Sequence, residues 1–173
     1  EHHGEEEHDH EKGVDPHIWL SPKAVKIQAK NIYDALVILK PEKAGIYKEN
    51  LDEFMSKLDI LDKDIKEKLQ SIDLKVLLVF HPTWGYFARD YGLEQISIEK
   101  EGKEPTPANL KEVINLAKEK DIKVIFVQKQ FNMSYAEAIA KEINARVITL
   151  DPLAENWYQN MYDMLNTLSE NLK

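Results

Sequence analysis

The sequence of 173 residues predicts an α/β fold, a four-stranded parallel sheet flanked by helices and preceded by one long linking helix. Two observations lead there. From Lys75 onward, short and nearly continuous apolar runs alternate four times with helical patterns, the rhythm of a buried parallel sheet with crossover helices. Before them Tyr47, Leu51, Phe54, Leu58, Leu61, Ile65 and Leu69 recur at steps of four and three, one apolar face of a helix over residues 43–70. Such a helix is about 42 Å long at the usual rise per residue, more than the diameter of a domain of about 100 residues. A rod of that length spans two lobes, and only one lobe's worth of sequence follows it.

In chain order, Ser21 and Pro22 make a helix start, a capping side chain followed by proline at the first helical position. Val25, Ile32, Leu36 and Leu39 share one face of that helix, which runs to Lys40 before Pro41 interrupts it. After the long helix, VLLVF (76–80) is a buried strand and GYFARDYG (85–92) a short helix closed by glycine. QISI (95–98) is a weaker strand, and Thr106-Pro107 caps a helix carrying Leu110, Val113, Ile114 and Ala117. VIFV (124–127) is the third strand. Ser134 and Glu137 have capping-box spacing before a helix with Ala136, Ile139, Ala140 and Ile143. VITL (147–150) is the fourth strand, and the last helix shows Trp157, Met161, Met164, Leu165, Leu168 and Leu172.

A composition of 43% hydrophobic and 31% charged residues is that of a globular chain and excludes wholesale disorder. The net charge of −8 argues against a nucleic-acid or anionic-membrane surface. The acidity is concentrated at the start, where residues 1–13 (EHHGEEEHDHEKG) hold six acids, one lysine and four of the six histidines. With no apolar residue to bury, that tract is expected to be disordered. The absence of cysteine excludes disulfides and thiolate zinc sites. No apolar run approaches the roughly 18 residues of a membrane span. The chain starts at Glu1, inside the low-complexity tract, which leads us to expect a piece of a longer protein; the interspersed acids speak against an expression tag.

Open α/β sheets bind ligands beyond the carboxyl ends of their strands. His81 follows VLLVF and Asp151 follows VITL, each with a proline after it. Each also has an ordinary reading: a histidine that ends a strand and bonds a loop, or an aspartate that turns the chain into the last helix. His17 precedes the first helix, with Trp19 able to shield it from water and Trp84 a candidate wall beside His81. Together His17, His81 and Asp151 make a nitrogen-rich set with one carboxylate, suited to zinc, and a tetrahedral site wants a fourth ligand. His2, His3, His8 and His10 among their acidic neighbours form a possible loose secondary metal site. Phosphate-binding glycine loops, the G-x-S-x-G elbow and HExxH are absent.

The tract EHHGEEEHDHEKG, then DPHIWLSP, FHPTWGYFARDYGL, TPANL and VITLDPLAENWYQNM, closely resemble the metal-binding solute-binding proteins of ABC transporters, the zinc-binding branch best of all. The resemblance runs over nearly the whole chain. It implies half of a two-lobed protein: a loop over 1–13, the end of the N-terminal lobe and the linking helix over 14–72, and a C-terminal α/β lobe over 73–173. It implies extracytoplasmic zinc capture in the inter-lobe cleft and delivery to a membrane permease, without enzymatic activity. His17, His81 and Asp151 fall at the family's metal positions, Asp151 being a ligand in some members and displaced by water in others. A further histidine would come from the absent N-terminal lobe, and the surface meant for that lobe leads us to expect self-association. Gln128 stands where relatives often carry an acid. Other readings stay open: manganese as the metal, a zinc metallohydrolase, or a histidine-rich metal buffer. The hydrolase reading wants a general base, and no carboxylate beside these motifs nominates itself.

Overall fold

The computed structural model describes residues 14–99, 103–131 and 133–172; the expectation of a disordered tract over 1–13 lies outside them. The described residues open with a 3-10 turn, Ile18–Leu20, and α1 (Pro22–Leu39). Ser21 caps α1 as expected: its hydroxyl accepts the Ala24 N–H at 3.1 Å and donates to Asp90 Oδ2 at 2.5 Å. Pro41 opens a second 3-10 turn, Pro41–Lys43, after which α2 (Ala44–Gln70) runs back along α1. Its 27 residues make a rod of about 40 Å.

The rest is the expected β–α alternation: β1 (Val76–Val79), α3 (Gly85–Tyr91), β2 (Glu94–Ser97), α4 (Pro107–Glu119), β3 (Val124–Gln128), α5 (Ser134–Ile143), β4 (Arg146–Leu150) and α6 (Trp157–Asn171). The strands lie in the order β2-β1-β3-β4, all parallel. Gly92, in the left-handed conformation, closes α3. One start differs from expectation. Met133, not Ser134, holds the cap position of α5, and its carbonyl accepts the Glu137 N–H at 2.9 Å. The helix begins with Ser134 already inside it, so the Ser134–Glu137 capping box is out of register by one residue.

Alternation along the strands divides the core into two layers. Leu77, Val79, Val124 and Phe126 point to a face covered by α2, α3 and α6, where Leu61, Ile65, Phe87, Met161 and Leu165 are buried. Val76, Leu78, Ile125 and Val127 point to the other face, under Val113 of α4 and Ile139 of α5. Only the second half of α2 belongs to this core: Leu58, Leu61, Ile65 and Leu69 are buried, whereas Tyr47, Leu51 and Phe54 are half-buried. Those three line an open apolar groove together with Val25, Ile32 and Leu36 of α1. Leu39, expected on the same face, is exposed outside the groove. No helix among the described residues is long and apolar enough to cross a membrane.

A polar contact fastens α2 to α3. Tyr91 donates its hydroxyl to Asp62 Oδ1 at 2.9 Å, and Lys66 bonds the other oxygen at 2.5 Å. Burial works against ionisation of Asp62, but the bonds from Lys66 and Tyr91 outweigh it and hold the carboxyl below its ordinary value. Burial, and then the Asp62 bond, push the Tyr91 hydroxyl up.

Two expectations follow. Ile65→Ala should lower unfolding stability by about 2–5 kcal/mol, because Ile65 is fully buried. Ile46→Ala, at an exposed position, should stay within about 0.5 kcal/mol; urea titration of both variants checks this. The Asp62 contribution has a definite sign in pH. Its folded pKa lies below the unfolded one, so the stabilisation is complete above the ordinary carboxylate range, about pH 4–5, and is lost as pH falls through the folded value. Asp62→Asn should therefore flatten the acid side of a stability–pH curve, which urea titration between about pH 3 and 7 reads out.

Candidate metal site

Parallel register brings the carboxyl ends of the strands to one edge. Backbone bonds extend the ladder past the strands: Phe80 N–H donates to Phe126 O, Ile98 N–H to Val79 O and Glu99 N–H to Phe80 O, each at 2.9 Å. His81 and Glu99 thereby become neighbours, with Gln128 at the end of β3 and Asp151 immediately after β4.

His17 reaches the same edge from the 3-10 turn, which is docked by several bonds. Leu20 is fully buried in the α2–α3–α6 layer. The Trp19 indole donates to Pro152 O at 3.0 Å, and the Trp157 indole donates to Trp19 O at 2.8 Å. Tyr86 donates its hydroxyl to Asp15 O at 3.0 Å. Asn160 holds Asp151 O at 2.7 Å, so the same set of bonds fixes the loop after β4.

The two histidine rings meet edge to face, centroids 5.4 Å apart and planes at 82°. Trp19 stands against His17 at 5.4 Å, as its place in the sequence suggested. Trp84, by contrast, is buried in the core at 2% exposure and does not wall His81. Phe131 does, stacked on that ring at 5.0 Å. Both histidines contact a carboxylate through Nδ1: His17 to Asp15 Oδ1 at 2.6 Å and His81 to Glu99 Oε2 at 2.9 Å. The expectation that no carboxylate stands beside these motifs is thus corrected. Glu99 escapes a sequence reading because its approach depends on the β1–β2 register, and the Asp15 contact because it depends on the local fold of the segment before α1. Gln128 is buried and donates to His81 O and Thr83 Oγ1, both at 2.9 Å, so an amide there braces the histidine's backbone.

Asp151 stands apart. Its Oδ1 accepts the Leu153 N–H at 3.1 Å and Gln130 Nε2 at 3.4 Å, and Lys129 Nζ lies 3.3 Å from Oδ2. The Leu153 N–H, with help from Lys129 and Gln130 and against a smaller effect of burial, holds this carboxyl below its ordinary value. The structure brings His17 and His81 together but not Asp151 with them; among the described residues no group of three metal-binding side chains is assembled. His2, His3, His8 and His10 lie outside the described residues. The arrangement offers two imidazoles at one point, half-buried and braced from behind, with an ionised carboxylate on the adjoining loop. These are donors of the kind zinc takes.

Comparison with known proteins gives the same chemistry. The sequence matches the profile described as zinc-uptake complex component A, periplasmic, over residues 1–171. It is 34% identical over 142 residues to the high-affinity zinc uptake system protein ZnuA of Bacillus subtilis, covering 81% of this chain and 44% of that protein. A crystal structure of ZnuA superposes with a TM-score of 0.89 at 42% identity, covering 92% of this chain and 63% of that one. A zinc-bound deletion mutant of ZnuA superposes at 0.88, also at 42% identity, covering 94% and 62%. The chain spans about half or less of the length of these curated relatives, from 29% to 54%. The match over nearly all of its own length settles the family: the chain belongs to the zinc-uptake complex component A, periplasmic, proteins.

Proposed function

We propose that this chain forms one wall of a zinc-capture cleft in an extracytoplasmic binding protein that delivers the ion to an ABC transporter permease. The observation that carries the reading is the meeting of His17 and His81, 64 positions apart in sequence, at the carboxyl edge of the sheet. Zinc is cargo here, held by coordination and released unchanged, so the protein is not an enzyme. Asp151 is the oxygen donor of the set, its carboxylate already ionised. The length of the relatives beyond this chain would supply the opposite wall and a further ligand, seated over the α1–α2 groove. Left bare, the same groove favours association between copies of the chain. Imidazole nitrogens favour zinc over manganese, because affinities for such ligands rise along the divalent series toward zinc.

Titration calorimetry with zinc and manganese tests this. In the full-length protein, His81→Ala should weaken zinc binding by more than the roughly 10–100-fold typical of losing an outer-shell partner. Deleting residues 1–13 should change high-affinity binding far less. His81→Glu should narrow the preference for zinc, since a hard oxygen replaces a borderline nitrogen. Undiminished zinc affinity in His81→Ala, with binding lost on deletion of the tract, would place the site in the tract instead.

A further inference from the structure

We propose that Asp15 and Glu99 are positioning residues that hold His17 and His81 in a single tautomer, the proton on Nδ1 and the Nε2 lone pair free, and that Gly85 keeps open the space the Asp15 carboxyl occupies. The inference rests on the metal site proposed above, but its first readout needs no metal.

A neutral imidazole carries one N–H and one lone pair, and nothing in water fixes which nitrogen has which. A carboxylate oxygen only accepts. With both carboxylates ionised, contacts of 2.6 Å to His17 and 2.9 Å to His81 place the proton at Nδ1 in both rings. Each carboxylate is itself held. The Glu99 side chain is only 7% exposed, and its backbone N–H is fixed to Phe80 O at 2.9 Å. Asp15 Oδ1 is shared between the His17 ring and the His17 backbone N–H, the latter at 2.9 Å. The two rings come from distant segments yet receive the same treatment, which leaves Nε2 of each as the nitrogen able to bind an ion. Metal-binding histidines are commonly oriented in this way, and losing the outer partner costs about 10–100-fold in affinity.

Gly85 enters through space. A Cβ built on it would lie 2.9 Å from Asp15 Oδ2, with nothing else nearer than Gln95 Nε2 at 3.8 Å. Its backbone is that of the first residue of α3 and not the left-handed conformation, so alanine suits the helix. Gly85→Ala therefore displaces the Asp15 carboxyl while touching neither histidine.

The test combines two measurements on the full chain: long-range ¹H–¹⁵N spectra of the imidazoles without metal, assigned with His17→Ala and His81→Ala, and zinc affinity by competition with a chromophoric chelator. The wild type should show Nδ1–H in both rings. Glu99→Ala should scramble the tautomer of His81 alone and weaken zinc binding about 10–100-fold. Glu99→Gln, whose amide oxygen still accepts, should keep both properties close to wild type. Gly85→Ala should disturb His17 alone and weaken zinc binding without loss of thermal stability. An Nε2–H form of either ring in the wild type would overturn the proposal, as would Glu99→Ala leaving either the His81 tautomer or the zinc affinity unchanged. The expected spectra with zinc affinity unaltered in His17→Ala and His81→Ala would leave the tautomers assigned and defeat the metal site.

Discussion

Docking of the short turn before α1 onto the sheet is the constraint on which the rest depends. His17 belongs to a segment of a few residues with no strand of its own, and it meets His81 only because that segment is pinned. Leu20, fully buried, supplies the apolar anchor. Around it the Trp19 indole donates to Pro152 O in the loop after β4, and the Trp157 indole donates to Trp19 O in the turn itself. An indole joins apolar bulk to one N–H donor, so each tryptophan covers a ring or the core and also ties down a carbonyl. Ser21 continues the fastening by capping α1 and bonding Asp90 of α3.

The sheet provides the other half. All four strands are parallel, so their carboxyl ends lie together, and the residues just beyond them become neighbours whatever their separation in sequence. His81, Glu99, Gln128 and Asp151 are all placed by this one property. With both faces of the sheet covered, β1 and β3 are buried along their length, and packing on both sides holds the positions of the residues at their ends. The sheet's core also divides α2 in two. Its second half is part of the core, whereas its first half rises beside α1 with an apolar groove between them.

Most of the fold was legible because its signals are local. Apolar runs gave the four strands, and the four-three stripe gave α2 to within a residue of its start. His17, inside DPHIWLSP before α1, and His81, just after the first apolar run, stand out as candidates in the sequence, and the structure brings these two together. What escaped depended on register or on packing. Glu99 approaches His81 only through the pairing of β1 with β2, 18 positions away. Phe131 rather than Trp84 stacks on His81, because Trp84 turns into the core against Phe87. The α5 start lies one residue earlier than its capping-box spacing implies, with Met133 at the cap position. Asp151 joins the histidines in the sequence by its place after the fourth strand and by the family resemblance, but the structure engages its carboxylate with Leu153, Gln130 and Lys129.

The central claim is that two histidines at the carboxyl edge of this sheet hold the ion, and locating the ion tests it most directly. Anomalous diffraction at the zinc edge, from crystals of the full-length protein loaded with one equivalent of zinc, should give a single strong peak about 2.0–2.1 Å from Nε2 of both His17 and His81. A peak at the histidines of the tract, or one that touches neither of these rings, would contradict it.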